Sequence, residues 1–238
     1  IKSMSILTAL IKTLRLNLMR TELLFPTPVW IEEKCGVDRD KLKEFAHLVE
    51  TEDPQGRKAS NDGGWQSWDF MDEVMKNNPL SELRSKIYEL AYTAGDEWGF
   101  KDYSLYISNL WININRRGAM NRLHTHPGCV LSGVYYVDIP ECCSGPFTFV
   151  KDFKDQQLKE HWGNANNFEQ WEGMNVNEYD IYPENDMMVL FPSWMMHAVS
   201  KSSSDKDRIS ISFNLIAHSD HYHEVYPTGQ RNRKTLSL

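Results

Sequence analysis

The chain has 238 residues, 41% hydrophobic and 12% aromatic, enough for one large globular core or two small ones. A formal net charge of −7 argues against the broadly basic surface that nonspecific nucleic-acid binding requires, so no nucleic-acid partner is expected. The four cysteines, Cys35, Cys129, Cys142 and Cys143, have no Cys-x-x-Cys spacing; they read as thiols of a reducing, cytoplasmic compartment and not as a structural zinc site.

Residues 1–22 read as an N-terminal extension outside the core. Residues 1–20 carry Lys2, Lys12, Arg15 and Arg20 with no acid, and Ile6, Leu7, Leu10, Ile11 and Leu14 recur at helical spacing. Such a helix docks on the body or acts as a leader; a targeting or membrane-surface role is the alternative. Its basic residues interrupt the apolar run too soon for a membrane span, and no membrane partner is expected.

Residues 23–238 read as a single domain. Leu24–Trp30 is extended, because Pro26 and Pro28 bias their neighbours away from helix. Asp38–Glu50 is a helix capped by Asp38, with Leu42, Phe45, Ala46 and Val49 on one face. Glu52–Asp72 is a long polar loop holding Trp65 and Trp68. Ser81–Trp98 is a second helix, with Ser81 as N-cap, an apolar stripe of Leu83, Ile87, Leu90, Ala91 and Ala94, and Gly99 as its stop.

From Tyr103 the apolar period becomes two. Strands are expected at Tyr103–Asn115, Leu131–Val137, Pro146–Val150, Met187–Phe191, His197–Ser200 and Arg208–Ile216. Residues 151–183 are polar and aromatic and read as a long insertion. Two helices followed by short strands predict a mainly β fold, a sandwich or barrel with helices packed outside. Trp65, Trp68, Trp162 and Trp171 lie in the two long loops, as a substrate lid or as hydrophobic cover. His47 and His161 read as structural or surface residues, and His218, His221 and His223 as part of a solvated tail. Met187, Met188, Met195 and Met196 read as core packing near the site.

The last strand has one polar face, Arg208, Ser210, Ser212 and Asn214, and one apolar face, Ile209, Ile211, Phe213 and Leu215. Either the polar face meets solvent, or it lines a cavity in which Arg208 forks a carboxylate and Ser210 or Ser212 adds a hydroxyl. His124 and His126 are two residues apart, a spacing that on a strand turns both imidazoles to one face, and His197 from a distant strand can close a metal site with them.

These residues resemble the Fe(II)- and 2-oxoglutarate-dependent oxygenases of double-stranded β-helix fold, within them the prolyl-hydroxylase-like group. The motifs are His124-Thr125-His126-Pro127-Gly128, Ser132-Gly133-Val134-Tyr135-Tyr136-Val137, Asp186–Pro192, His197 and Arg208–Asn214, with further likeness at Phe25-Pro26-Thr27-Pro28 and Gly63-Gly64-Trp65-Gln66-Ser67. The resemblance implies a jelly-roll, cupin-like barrel supported by the two helices, its metal core at about residues 103–217. It implies Fe(II) held by His124, His126 and His197, with His126 where a carboxylate usually stands. It further implies 2-oxoglutarate as cosubstrate, anchored by Arg208 and Tyr135, and a pocket strand contributing Asn113. The implied reaction couples decarboxylation of the oxo acid by molecular oxygen to hydroxylation of a small molecule or a protein side chain. A cupin-like three-histidine metalloprotein that uses no oxo acid, or a non-catalytic binding protein on the same scaffold, are the alternatives.

Overall fold

The alternation along the last strand organises the molecule. In the computed structural model, which describes residues 22–23, 25–141, 145–152 and 176–219, that strand is β11 (Arg208–Ser219). It lies inside a six-stranded antiparallel sheet ordered β1 (Trp30–Glu32), β9 (Met188–Pro192), β6 (Leu131–Asp138), β11, β4 (Tyr103–Asn115) and β3 (Trp65–Gln66). A five-stranded antiparallel sheet faces it, ordered β2 (Asn61–Asp62), β5 (Met120–His124), β10 (Met196–Val199), β7 (Phe147–Val150) and β8 (Glu178–Ile181). The expectations for residues 1–21, Cys142, Cys143, His161, Trp162, Trp171, His221 and His223 fall outside the described residues.

Each face of the larger sheet has its own cover. Ile209, Ile211, Phe213 and Leu215 of β11 pack with Leu110, Ile112 and Ile114 of β4 and with Tyr135 and Val137 of β6. Helices α1 (Arg39–Glu52) and α3 (Ser81–Glu97) seal this layer with Leu42, Ala46, Leu83, Ile87, Ala91 and Ala94. Each fully buried Leu, Ile or Phe contributes about 1.5–3 kcal/mol, so this layer holds the helices to the sheet. The opposite face meets the smaller sheet through Val134, Tyr136, Phe147, Phe149, Ile181, Val189 and Phe191.

Local chemistry sets most element ends. The Asp38 carboxylate accepts a hydrogen bond from the Lys41 backbone amide at 3.2 Å and caps α1. Ser81 is the first helical residue of α3 and not its cap; Leu80 takes the cap position, and the Asn78 side-chain oxygen accepts from the Leu80 amide at 2.8 Å. No side chain caps the first helical amides of α3. Gly99, at φ +86°, ends α3 as expected.

Two expectations need correction. Among the described residues neither sheet closes on itself, so the two sheets stand as a sandwich with flanking helices and not as a closed barrel. The edge strands β1, β2, β3 and β8 have two to four residues each, too few backbone groups to zip one sheet to the other. The span Glu52–Asp72 is also not plain loop. It straddles both sheets, with β2 pairing with β5 and β3 pairing with β4, before the short helix α2 (Asp72–Met75). Strand β8 likewise lies within the expected insertion 151–183, and β5 ends on His124, the first of the paired histidines.

Gly133 marks the tightest approach within the larger sheet. A Cβ there would overlap the Phe213 ring and stand 2.9 Å from the Val189 carbonyl oxygen. Gly133→Ala is expected to lower stability by about 1–3 kcal/mol through overpacking, read as a lower urea midpoint. Phe213→Leu in the same chain should recover part of the loss, and an unchanged midpoint in the single variant would contradict this packing.

Candidate metal centre

The histidines converge through an irregular pairing of β5 with β10. His124 pairs with His197 and Asn121 pairs with Val199, so Arg122 and Leu123 together face the single residue Ala198. This bulge brings Asn121 and His124, three residues apart, onto the face that His197 and Val199 share. The strand stops at His124, and Thr125 and His126 lie in the loop beyond it. His126 therefore reaches the site without a strand pleat. Its backbone amide donates to the Ser193 carbonyl oxygen at 2.9 Å, which ties the loop to the turn between β9 and β10.

One nitrogen from each of the three rings lies within 4.8 Å of the others. The His124 Nδ1 stands 2.6 Å from the Arg122 carbonyl oxygen, and the His197 Nδ1 stands 2.8 Å from that of Met195. A carbonyl oxygen only accepts, so both Nδ1 atoms carry the proton and both Nε2 lone pairs face the site. His126 Nε2 is 3.2 Å from His197 Nε2. Two nitrogens bound to one metal at about 2.0–2.1 Å stand about 3.0–3.4 Å apart at ordinary coordination angles, so the spacing fits a shared ion.

Apolar walls keep these rings uncharged. Phe147 and Phe191 have ring centroids 5.3 and 4.8 Å from that of His197, and Trp111 lies 5.7 Å from His126. Burial pushes the His197 proton affinity down to about 3, with the charges of His124 and His126 adding to the effect. Burial and then the charge of His124 push His126 down to about 4, and burial also lowers His124. All three are neutral donors near pH 7, the state a metal requires.

The cavity extends from the histidines across the polar face of β11. It is open to solvent and has no carboxylate among its lining residues. The register lays its floor out in rows. Asn115 pairs with Arg208; Asn113 pairs with Ser210, which pairs with Tyr136; Trp111 pairs with Ser212, which pairs with Val134. The expected residues Asn113, Arg208, Ser210 and Ser212 all line the cavity with the three histidines. The polar face of β11 is thus the cavity floor and not a solvent face.

Tyr135 does not share that cavity. Strand alternation turns it to the helix-covered side, where its hydroxyl donates to Asp186 Oδ1 at 2.8 Å. Tyr136 takes the inner position. Its hydroxyl is buried without a hydrogen-bond partner, and the Arg208 guanidinium lies 5.6 Å from its ring centroid. Burial raises the Tyr136 hydroxyl to about 12 against the pull of the Arg208 charge, so it remains a donor. Arg208 is 2% exposed and donates to the Gly145 carbonyl oxygen at 3.2 Å.

Sequence reasoning also missed an amide cluster beside Arg208. The Asn61 Nδ2 donates to Asn115 Oδ1 at 2.8 Å, Asn115 Nδ2 donates to Asn121 Oδ1 at 3.2 Å, and Asn113 Nδ2 donates to Ser212 Oγ at 3.2 Å. The register that pairs Ser210 with Tyr136 has no signal in the sequence, and β6 is buried on both faces, so its alternation could not choose between the two tyrosines. The β2 contribution had no signal either, because two residues show no period.

A buried cation, an unpartnered tyrosine hydroxyl and three converging neutral imidazoles are what a metal and a bidentate, carboxylate-tailed ligand would need. The donor set is compatible with Fe(II) and a 2-oxo acid: His124, His126 and His197 would hold the metal, and Arg208, Tyr136 and Ser210 would face the far carboxylate. Three imidazoles serve other divalent ions as well.

Comparison with known proteins agrees with this layout at the level of fold. Residues 109–214 match the model of a family described as "Putative 2OG-Fe(II) oxygenase", an interval that holds all three histidines and Arg208. No curated protein matches the chain. Among solved structures, a prolyl hydroxylase of Trichoplax adhaerens, in complex with a hypoxia inducible factor peptide fragment, superposes with a TM-score of 0.57 and 16% identity over 87% of this chain and 92% of that one. The α-ketoglutarate-dependent epimerase SnoN from nogalamycin biosynthesis gives 0.56 and 15%, over 80% and 78%. A Pseudomonas putida prolyl-4-hydroxylase gives 0.54 and 13%, over 80% and 92%. The fold of this chain is accordingly that of the 2-oxoglutarate- and Fe(II)-dependent oxygenases.

Proposed function

We propose that the protein is an Fe(II)- and 2-oxoglutarate-dependent dioxygenase that hydroxylates a small molecule or a protein side chain. One observation carries the reading: a single cavity has three neutral imidazole donors at one end and a buried arginine beside an unpartnered tyrosine hydroxyl at the other. Membership of the oxygenase family, suggested by the match over 109–214, points the same way.

The residues divide the work. His124 and His197 present Nε2 because backbone carbonyls hold their Nδ1 protons. His126 supplies the third nitrogen from a loop fixed at Ser193. Arg208 and Tyr136 donate to the far carboxylate of the oxo acid, and Ser210 lies between them in register. Phe147, Phe191 and Trp111 exclude water around the metal end. Bound iron, with oxygen and the oxo acid, supplies the oxidising power.

A second reading is favoured by one feature, the absence of any carboxylate from the ligand set. It is a three-histidine metalloprotein that takes no oxo acid, for which Arg208 would have no carboxylate to hold. Among the described residues no helix is long and apolar enough to cross a membrane.

Anaerobic titration with Fe(II) and then 2-oxoglutarate should produce the visible charge-transfer band of the chelate; metal binding with no band on adding the oxo acid would favour the second reading. Arg208→Ala should weaken 2-oxoglutarate roughly 10- to 100-fold with Fe(II) affinity retained, the loss of charge-assisted hydrogen bonds. Tyr136→Phe should cost roughly 2- to 10-fold, whereas Tyr135→Phe should leave oxo-acid affinity unchanged. His197→Ala should abolish metal binding measured by calorimetry, and His126→Asp should retain both Fe(II) and the band. An Arg208→Ala enzyme with the parent's oxo-acid affinity would overturn the assignment of that end of the cavity.

A further inference from the structure

The cavity is deepest at Arg208 and most open beside the metal end. Arg208, Asn115, Tyr136 and His197 are buried, whereas the lining residues Ser60, Asn121, His124 and His126 are partly exposed, so the mouth lies beside this second group. With the imidazoles and Arg208 taken by metal and oxo acid, a substrate enters past Ser60 and Asn121.

These two residues end a chain of side-chain amides whose direction the backbone dictates. The Gly64 amide donates to Asn61 Oδ1 at 3.1 Å, and the Trp65 carbonyl oxygen accepts from Asn61 Nδ2 at 3.3 Å. A backbone amide only donates and a carbonyl only accepts, so both ends of the Asn61 side chain are assigned. Asn61 Nδ2 then donates to Asn115 Oδ1 at 2.8 Å, Asn115 Nδ2 to Asn121 Oδ1 at 3.2 Å, and Asn121 Nδ2 to Ser60 Oγ at 3.3 Å. Each bond points toward the mouth, and bonds in such a series polarise one another. Ser60 is the last acceptor, and among the described residues nothing accepts the proton of its own hydroxyl. The second Nδ2 hydrogen of Asn121 is likewise left over.

The chain is fixed in place and tied to the metal end. A Cβ on Gly64 would stand 2.5 Å from both Asn61 Oδ1 and Asn115 Oδ1, so the amides are packed into the turn between β2 and β3. The Arg122 amide donates to the Ser60 carbonyl oxygen at 3.0 Å, and the Arg122 carbonyl oxygen accepts from His124 Nδ1 at 2.6 Å. One residue thus joins the mouth donors to a metal-ligating ring. The Arg122 guanidinium is matched by Asp62 Oδ2, at 2.9 and 3.3 Å, and is not left over to draw an ionised group. Two uncharged donors suit one oxygen with two lone pairs. A substrate hydroxyl would bring a proton of its own, for which the lining holds no carboxylate; a carbonyl oxygen brings none.

We propose that Ser60 and Asn121 are the substrate-recognition pair at the cavity mouth, donating to the carbonyl oxygen of an uncharged amide and so holding its neighbouring carbon toward the metal end. The proposal rests on the oxygenase reading, which supplies the metal.

The test uses the full chain labelled with ¹⁵N, with the Asn121 side-chain signals assigned by their loss in Asn121→Asp. N,N-dimethylacetamide, which accepts but has no N–H, should shift these signals saturably. Acetate should bind more weakly there, and propylammonium, which only donates, should leave them unmoved. Ser60→Ala should weaken dimethylacetamide roughly 2- to 10-fold, the loss of one neutral hydrogen bond, and Ser60→Thr should retain the parent's affinity. If Ser60→Ala does not fold, as judged by its amide dispersion, Ser60→Cys takes its place and should show the same weakening. Unmoved Asn121 signals, tighter binding of acetate or propylammonium, or full dimethylacetamide affinity without the hydroxyl would each overturn the pair. Zn²⁺ added separately and followed on the ring signals of His124, His126 and His197 reports on the metal reading. A Zn²⁺ response without a dimethylacetamide response overturns the recognition pair alone, and the reverse pattern overturns the metal centre.

Discussion

Strand β11 must satisfy two incompatible neighbours, and its strict alternation is how it does so. Its apolar residues are pressed against α1 and α3, while its polar residues face a second sheet. A one-residue slip in its pairing with β4 or β6 would send Arg208, Ser210 and Ser212 into a helix-sealed apolar layer and expose four large hydrophobic side chains to the cavity. Register is therefore strongly specified where the chemistry lies. The same register fixes which tyrosine of the Tyr135-Tyr136 pair reaches the cavity and places Asn113 and Gln66 on the Ser210 row.

The second constraint is charge. The cavity lining contains Arg208, three imidazoles of low proton affinity and no carboxylate. A divalent metal would bring the formal charge to +3, and a dianionic oxo acid would leave +1 where a two-histidine, one-carboxylate site would be neutral. That residual charge follows from His126 alone. It favours tight retention of anionic ligands and leaves a more electrophilic metal, so His126 is the position at which this centre departs most from the ordinary oxygenase arrangement.

Much of this was legible in the sequence, for definite physical reasons. Long elements with a clean period, such as α3, β4 and β11, declared themselves because burial on one face acts on every second or every third to fourth residue. His124, His126 and His197 could be picked out by residue type and spacing, and Arg208 because it opens the polar face of β11. What escaped lacked a period. β2 and β3 have two residues each, and β5 bulges between Asn121 and His124, so neither strand alternation nor composition exposed the amide cluster. Likeness to a family motif points to Tyr135, whereas the pairing of Ser210 with Tyr136 places the Tyr136 ring inside. Ser81 has the composition of a cap but is the first helical residue, and no side chain caps α3.

The central claim is that three imidazoles hold one metal ion with positions left for an oxo acid. X-ray absorption at the iron edge, on the anaerobic Fe(II)-loaded protein before and after 2-oxoglutarate, tests it most directly. The account predicts multiple-scattering features of three imidazoles in both spectra, with oxygen donors rearranging to a chelate when the oxo acid is added. Fewer than three imidazoles, or a metal environment indifferent to 2-oxoglutarate, would contradict it.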